Sequence, residues 1–179
     1  MKINKLPILL FIIFLIGLSH CGCRSKYIVL APEKKQNIHG ANLVKASSSF
    51  DKCIDKYVST SYEIIYRVEE MPESIHKILL NKFNNKGFAN PNENFNPSDV
   101  IWDPNIPQRR LVFAGNSPDS WFVCYEHGGE GRHCHLVLFS IENEKMQVMF
   151  NGTYFYNPQN PNQLKQLVAE RKFEESDCW

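Results

Sequence analysis

The sequence predicts an α+β fold, an antiparallel meander of about four to five strands packed against two or three helices, and three observations carry that prediction. Apolar residues recur at helical spacing near both ends of the region 48–179 and once between. Runs of strand character fill residues 109–156. The links between those runs are short and polar: NSPD with Pro118, GGEG after His127, and ENEK after Ile141. Strands joined so briefly pair side by side and antiparallel, and helices flanking them make a sandwich of sheet and helix. With 179 residues and 43% hydrophobic content, the chain has material for one core, so residues 48–179 are expected to form a single domain. There is no internal repeat.

The elements follow in order. Ser49 is a good N-cap ahead of Phe50, Cys53, Ile54, Tyr57 and Val58, a helical stripe that places Cys53 on the buried face. Tyr62, Ile64, Tyr66 and Val68 alternate with mostly polar neighbours and predict a strand. Pro72 then opens a helix with Ile75, Ile78, Leu79 and Phe83 on one stripe and Gly87 as its stop. From Phe88 to Gln108, the spread of Pro91, Pro97, Pro104 and Pro107 excludes both a helix and a central strand. This loop, with Phe95, Val100, Ile101 and Trp102, is expected to cover a core edge, a binding loop being the alternative. RRLVFAG, SWFVCYEH, RHCHLVLFSI and MQVMFNGTYFY are the meander, and Asn151-Gly152-Thr153 is expected to break or bulge the last strand. Asn160 and Pro161 begin a final helix with Leu164, Leu167, Val168 and Phe173.

The first residues carry an address. MKINK is a short basic region and LPILLFIIFLIGL an apolar run of thirteen, the length of a signal-peptide core and short for a membrane span. Leu18, Ser19 and Cys21 in LSHCGC stand where a bacterial lipobox has its conserved residues, although His20 departs from the usual small residue, so the segment resembles a lipoprotein signal peptide. That resemblance implies a signal peptide over 1–20, a diacyl or triacyl (palmitate-type) anchor on Cys21, a tether over 21–47, and a membrane as the first partner. Gly22 would then permit transfer to an outer membrane. The alternatives are ordinary cleavage after Ser19, giving a soluble secreted protein, and an uncleaved anchor; all three export the domain to the cell envelope or beyond.

An oxidising compartment changes how the six cysteines are read. Cys53, Cys124, Cys134 and Cys178 fall in the folded part and allow three pairings. If the GGEG turn sets Cys124 opposite Cys134, then Phe122 faces Leu136, Val123 faces His135 and Tyr125 faces His133. In that register Cys124–Cys134 is the simplest bridge, which leaves Cys53–Cys178. The chain-entropy estimate puts the short bridge on the order of 3 kcal/mol and the long one at roughly 4 to 5 kcal/mol. Alternation places Cys124, Cys134, Leu136 and Leu138 on one face. Trp121, Val123, Tyr125, Val137, Phe139 and Ile141 share the other, which continues into Met146, Val148 and Phe150 and is expected to lie under the helices.

His127, His133 and His135 point to the Tyr125 face at its turn end, and the i, i+2 spacing of the last two suits paired imidazoles on a metal. The expectation is that they are solvent-accessible or hydrogen-bonded structural histidines, with zinc or copper binding as the sharper alternative. Catalytic motifs are incomplete. His127-Gly128-Gly129 lacks a nucleophile elbow to serve, since Gly115-Asn116-Ser117-Pro118-Asp119 has no second glycine. GGEG joins two strands, where a dinucleotide-binding turn needs a strand followed by a helix. Cys53 with His76 would make a nucleophile and base only if the cysteine were unbridged. The formal charge of +1 includes Lys2 and Lys5, and no element carries a block of basic residues, which argues against nucleic acid as a partner. No cofactor is expected. The sequence thus points to a non-catalytic binding or accessory module of the envelope. Its ligand would be a protein, peptide or glycan, held by the Asn/Pro-rich loop or by Tyr154, Phe155, Tyr156 and Trp179; a metal-binding protein or an unrecognised hydrolase are the alternatives.

Overall fold

The structure is a computed structural model that describes residues 49–179 apart from Asn85, Asp99 and Glu130. The signal peptide, Cys21 and the tether lie outside the described residues. The class is α+β as expected, but the sheet has six strands in the order β1-β2-β3-β4-β5-β6, every neighbouring pair antiparallel. The four long strands are β2 (Arg109–Ser117), β3 (Ser120–His127), β4 (His133–Glu142) and β5 (Lys145–Tyr154). The other two are short edges, β1 (Glu63–Ile65) and β6 (Glu174–Glu175), of which β6 carries the count past the four to five expected. Alternation from Tyr62 to Val68 had suggested a longer β1. Instead Val68 opens a 3₁₀ turn to Glu70, and its N–H donates to the Asn90 side chain (2.8 Å) rather than to a sheet.

Both faces of the sheet are covered. Helices α1 (Ser49–Ser59) and α3 (Pro161–Ala169) bring Ile54, Tyr57, Leu164 and Val168 against Phe113, Phe122, Cys124, Cys134, Leu136, Leu138 and Phe150. Helix α2 (Glu73–Lys82) lays Ile75 and Leu79, with Met71 and Phe83 beside them, on Leu111, Val123, Tyr125, Val137 and Phe139. Sequence alternation had put the helices under the Tyr125 face; the cysteine face is covered as well, because the apolar stripes of α1 and α3 need a second surface to bury. Asn160 caps α3, its side chain accepting from Gln163 N–H (2.9 Å), with Pro161 in the first turn.

Two bulges correct the expected faces. In β5, Leu138 pairs with Phe150 and Phe139 with Val148, so Met149 is an extra residue. Phe150 therefore turns to the cysteine face, not to the face of Met146 and Val148. β5 runs unbroken through Asn151-Gly152-Thr153, where a break or bulge had been expected; the bulge lies just before, at Met149. Gly152 is required there by space, since a Cβ would lie 2.2 Å from the Phe150 ring. In β2 the register slips between Leu111 and Phe113, which puts Arg109 and Leu111 on the Tyr125 face and Phe113 on the other.

The β3–β4 hairpin is two residues out of the predicted register. Cys124 pairs with Leu136, Tyr125 with His135, Glu126 with Cys134 and His127 with His133, leaving residues 128–132 as the turn. A slip of two preserves the faces, so every predicted neighbour on a face survives although the pairs change. The Asn/Pro-rich loop covers a core edge as expected. Ala89, Phe95 and Asn96 are buried, and the Asn96 amide donates to the Asp103 (2.6 Å) and Ile106 (3.0 Å) carbonyls. Ser98 bridges to Gly129, and a Cβ at Gly128 would lie 2.1 Å from the Asn96 carbonyl oxygen, so loop and turn are packed backbone to backbone. Among the described residues no helix is long and apolar enough to cross a membrane.

Candidate metal centre

The end of the hairpin gathers the three predicted histidines. His127 and His133 close the ladder as its last pair and His135 lies two pairs inward on the same face, opposite Tyr125. Ring centroids are 5.3 Å apart for His127 and His133, 5.5 Å for His127 and His135, and 4.8 Å for His133 and His135. One nitrogen from each, together with the Cys178 sulfur, falls within a mutual distance of 4.8 Å. Nitrogens around one tetrahedral zinc at the usual bond length stand about 3.3 Å apart, so ion binding asks for a modest convergence of the rings.

The expectation of accessible histidines holds only in part. His127 and His133 are half-buried, but His135 has 0% exposure and stacks on the Tyr125 ring at 4.7 Å and 4°. Their hydrogen bonds fix which nitrogens carry protons. The Asn151 amide nitrogen donates to the carbonyls of Ser176 (2.8 Å) and Cys178 (2.6 Å), so its oxygen faces His135 Nδ1 at 3.3 Å and that nitrogen must donate. His135 Nε2 is left as a buried lone pair with no partner among the described residues. His133 Nδ1 meets the Gly131 carbonyl at 2.8 Å; a carbonyl only accepts, so Nδ1–H donates and Nε2 again keeps its lone pair. His127 Nδ1 is buried without a partner among the described residues.

His127 and His135 are held neutral. Burial, then the charge of Arg109 and the neighbouring His133, lowers the His127 pKa to about 3. Burial first, then His133 and His127, pushes His135 well below the usual histidine range. Arg109, 7% exposed, lies over the Phe83 ring at 4.1 Å and donates to the Trp179 main-chain oxygen. Asn151 and Arg109 thus hold Ser176 to Trp179 across the histidines, with Lys82 over the Trp179 ring at 4.8 Å.

The predicted pairing of Cys53 with Cys178 is not what the fold brings together. Cys53 is a free, half-buried thiol on α1, whereas Cys178 is in a disulfide, with none of Cys53, Cys124 or Cys134 as its partner. The fold separates them because α1 packs on the cysteine face while residues 176–179 cross the other. The same separation removes Cys53 and His76 as a nucleophile and base, since α2 with His76 lies on the opposite face from α1. Cys124 and Cys134 are fully buried on the far side of the hairpin, their free thiols 3.1 Å apart in a diagonal rather than a directly opposed arrangement.

Sequence reasoning did not find Arg109, Asn151 or Cys178 as part of this site. Arg109 and Asn151 reach the histidine face only through the two bulges, and strict alternation carries no signal for them. The aromatic row divides. Phe155 and Tyr156 are 76% and 72% exposed, while Tyr154 is half-buried with its ring 5.6 Å from Phe173. In the Asn/Pro-rich loop Val100, Ile101 and Trp102 are exposed. No protein-family model, curated protein or solved structure matches the chain.

Proposed function

We propose that this is an exported, lipid-anchored module of the cell envelope whose ligand is a transition-metal ion, zinc(II) or copper(II), held by His127, His133 and His135. One observation carries the reading. His135 Nε2 is a fully buried lone pair without a partner among the described residues, while the other nitrogen of the same ring is oriented by Asn151. A buried, unsatisfied acceptor costs about 1–3 kcal/mol, and an imidazole anchored through its second nitrogen is how metal-bound histidines are oriented. Neutral imidazoles suit zinc and copper, and the low pKa values of His127 and His135 keep those two rings neutral across ordinary pH. Cys178 enters as a disulfide sulfur, not a thiolate, so the set is three nitrogens with a fourth position left for water or a small anion.

The mature chain, made metal-free by chelation and titrated with zinc(II) and copper(II), should take up one equivalent. The double variant His133→Ala/His135→Ala should take up none at the same concentration. Equal uptake by chain and variant, or none by either, would sink the reading. A second contact is favoured by a separate observation, the exposure of Phe155 and Tyr156, which suits a protein, peptide or glycan of the envelope. Replacing both by serine should leave metal uptake unchanged and abolish cross-linking to that partner in intact cells.

A further inference from the structure

We infer that Cys124 and Cys134 form a disulfide which sets the metal affinity of the histidines on the opposite face of the same two strands, an inference that rests on the metal reading above. The two sulfurs stand 3.1 Å apart, about 1 Å beyond a bonded pair. Their positions in the hairpin are what tie them to the site. Cys134 lies between His133 and His135, and Cys124 precedes Tyr125, the ring stacked on His135. A bond between them therefore clamps β3, which supplies His127, to β4, which supplies the other two ligands.

Little else on the hairpin supplies that clamp. The turn contains Gly128, Gly129 and Gly131, and Gly131 has φ +149°, a conformation that only glycine adopts freely. A turn of that kind leaves the His127–His133 pair to be held by non-covalent contacts: the ladder, the Arg132–Glu126 ion pair (2.6 Å), the Gly128 N–H donating to the Gln108 carbonyl (2.9 Å) and the Ser98–Gly129 bridge. A covalent link set inward of that pair removes the sliding and splaying that would part the ligands. Cys124 and Cys134 are positioning residues; their side chains point away from the ion.

The bond forms by thiol–disulfide exchange with a small-molecule or protein disulfide. One cysteine thiolate attacks that disulfide and displaces a thiolate; the second cysteine then displaces the other half from the mixed disulfide. Two cysteine thiols become one disulfide, and the oxidant leaves as two thiols with the two electrons and two protons. Both sulfurs are sealed beneath α1 and α3, so exchange takes place while the cysteine face is open, during folding or local opening. Linkage makes the effect reciprocal: if the bond tightens metal binding by some factor, the metal stabilises the bond against reduction by the same factor.

The test uses zinc(II) and the full mature chain. Calorimetric titration of the oxidised chain and of Cys124→Ala/Cys134→Ala, which keeps the Cys178 bond, should show zinc binding weakened at least fivefold in the variant. Leu136→Ala, which loosens the same face while keeping both cysteines, should bind zinc within twofold of the parent. If the cysteine variant fails to fold, the parent is equilibrated in glutathione redox buffers with and without zinc, acid-quenched, and its Cys124–Cys134 peptide weighed. Zinc should shift that equilibrium toward the disulfide at least fivefold. Equal zinc affinity in parent and variant, an unmoved redox equilibrium, or free thiols at Cys124 and Cys134 in protein isolated from its envelope each overturn the inference while leaving zinc binding intact. Absence of zinc binding in every form overturns the metal reading itself.

Discussion

The two faces of the β3–β4 hairpin are covered by layers of different chemistry. On one side of β3 and β4, Cys124, Cys134, Leu136 and Leu138 are covered by apolar side chains from α1 and α3. On the other, at the turn end, His127, His133 and His135 lie with Arg109 and the Asn151 amide, which hold the carbonyls of Ser176, Cys178 and Trp179. The strands and their alternation are common to both faces. What differs is the chemistry of the covering layer: one satisfies everything it buries by dispersion and exclusion of water, and the other leaves nitrogen lone pairs buried and unmatched. A face of the first kind stores stability, and one of the second kind stores binding capacity.

The largest expected effect of breaking this contrast lies on the cysteine face. Leu136→Ala removes a side chain with 0% exposure and should cost about 2–5 kcal/mol in chemical denaturation, the range for truncating a buried leucine. A loss below about 1 kcal/mol would mean that α1 and α3 are not packed as described.

Asn151→Ala comes next and acts on the other face. It removes the donor to the Ser176 and Cys178 carbonyls and the acceptor for His135, so about 1–3 kcal/mol of stability should go. Metal affinity should fall by about 10- to 100-fold, the usual cost of losing the group that orients a ligand. Stability lost with affinity unchanged would show that Asn151 holds only the segment 176–179.

The smallest effect is one of pH on the metal-free chain. His127 has its pKa lowered to about 3 and His135 is shifted the same way, with Arg109 and His133 as the charged and titratable groups facing them. Unfolded histidine titrates near 6.5, so below that pH the unfolded chain takes up protons that the folded chain refuses. Stability is complete above about pH 6.5 and declines as the pH falls from there toward 3. Thermal melting should show this decline, and His127→Gln should make it shallower; parallel pH profiles for the two proteins would refute the assignment of His127 as a buried neutral ring.

Much of the architecture was legible in the sequence because it rests on short-range rules. The helical stripes of α1, α2 and α3, the four long strands, the Pro118 and Asn143-Glu144 turns, and the grouping of the three histidines with Tyr125 all follow from periods of 3.6 and 2 and from local turn chemistry. The short edge β6 was not legible, since two residues carry no period of their own, and β1 was read as a strand but over too long a span, Tyr62 to Val68. The histidine cluster was half legible: its face was determined by alternation, and its burial was not.

What the sequence by itself determined is therefore which residues share a face of which strand, and the apolar stripes that had to be buried somewhere. Tertiary structure alone decided the register of β3 on β4, the bulges at Met149 and between Leu111 and Phe113, and the course of residues 176–179 over the site. Those choices bring Asn151 and Arg109 to the histidines and direct Cys178 away from Cys53. The physical reason is range. Side-chain alternation is set by the chain's own stereochemistry residue by residue, whereas a bulge or a register is chosen by how two distant surfaces pack, and no local pattern records that choice.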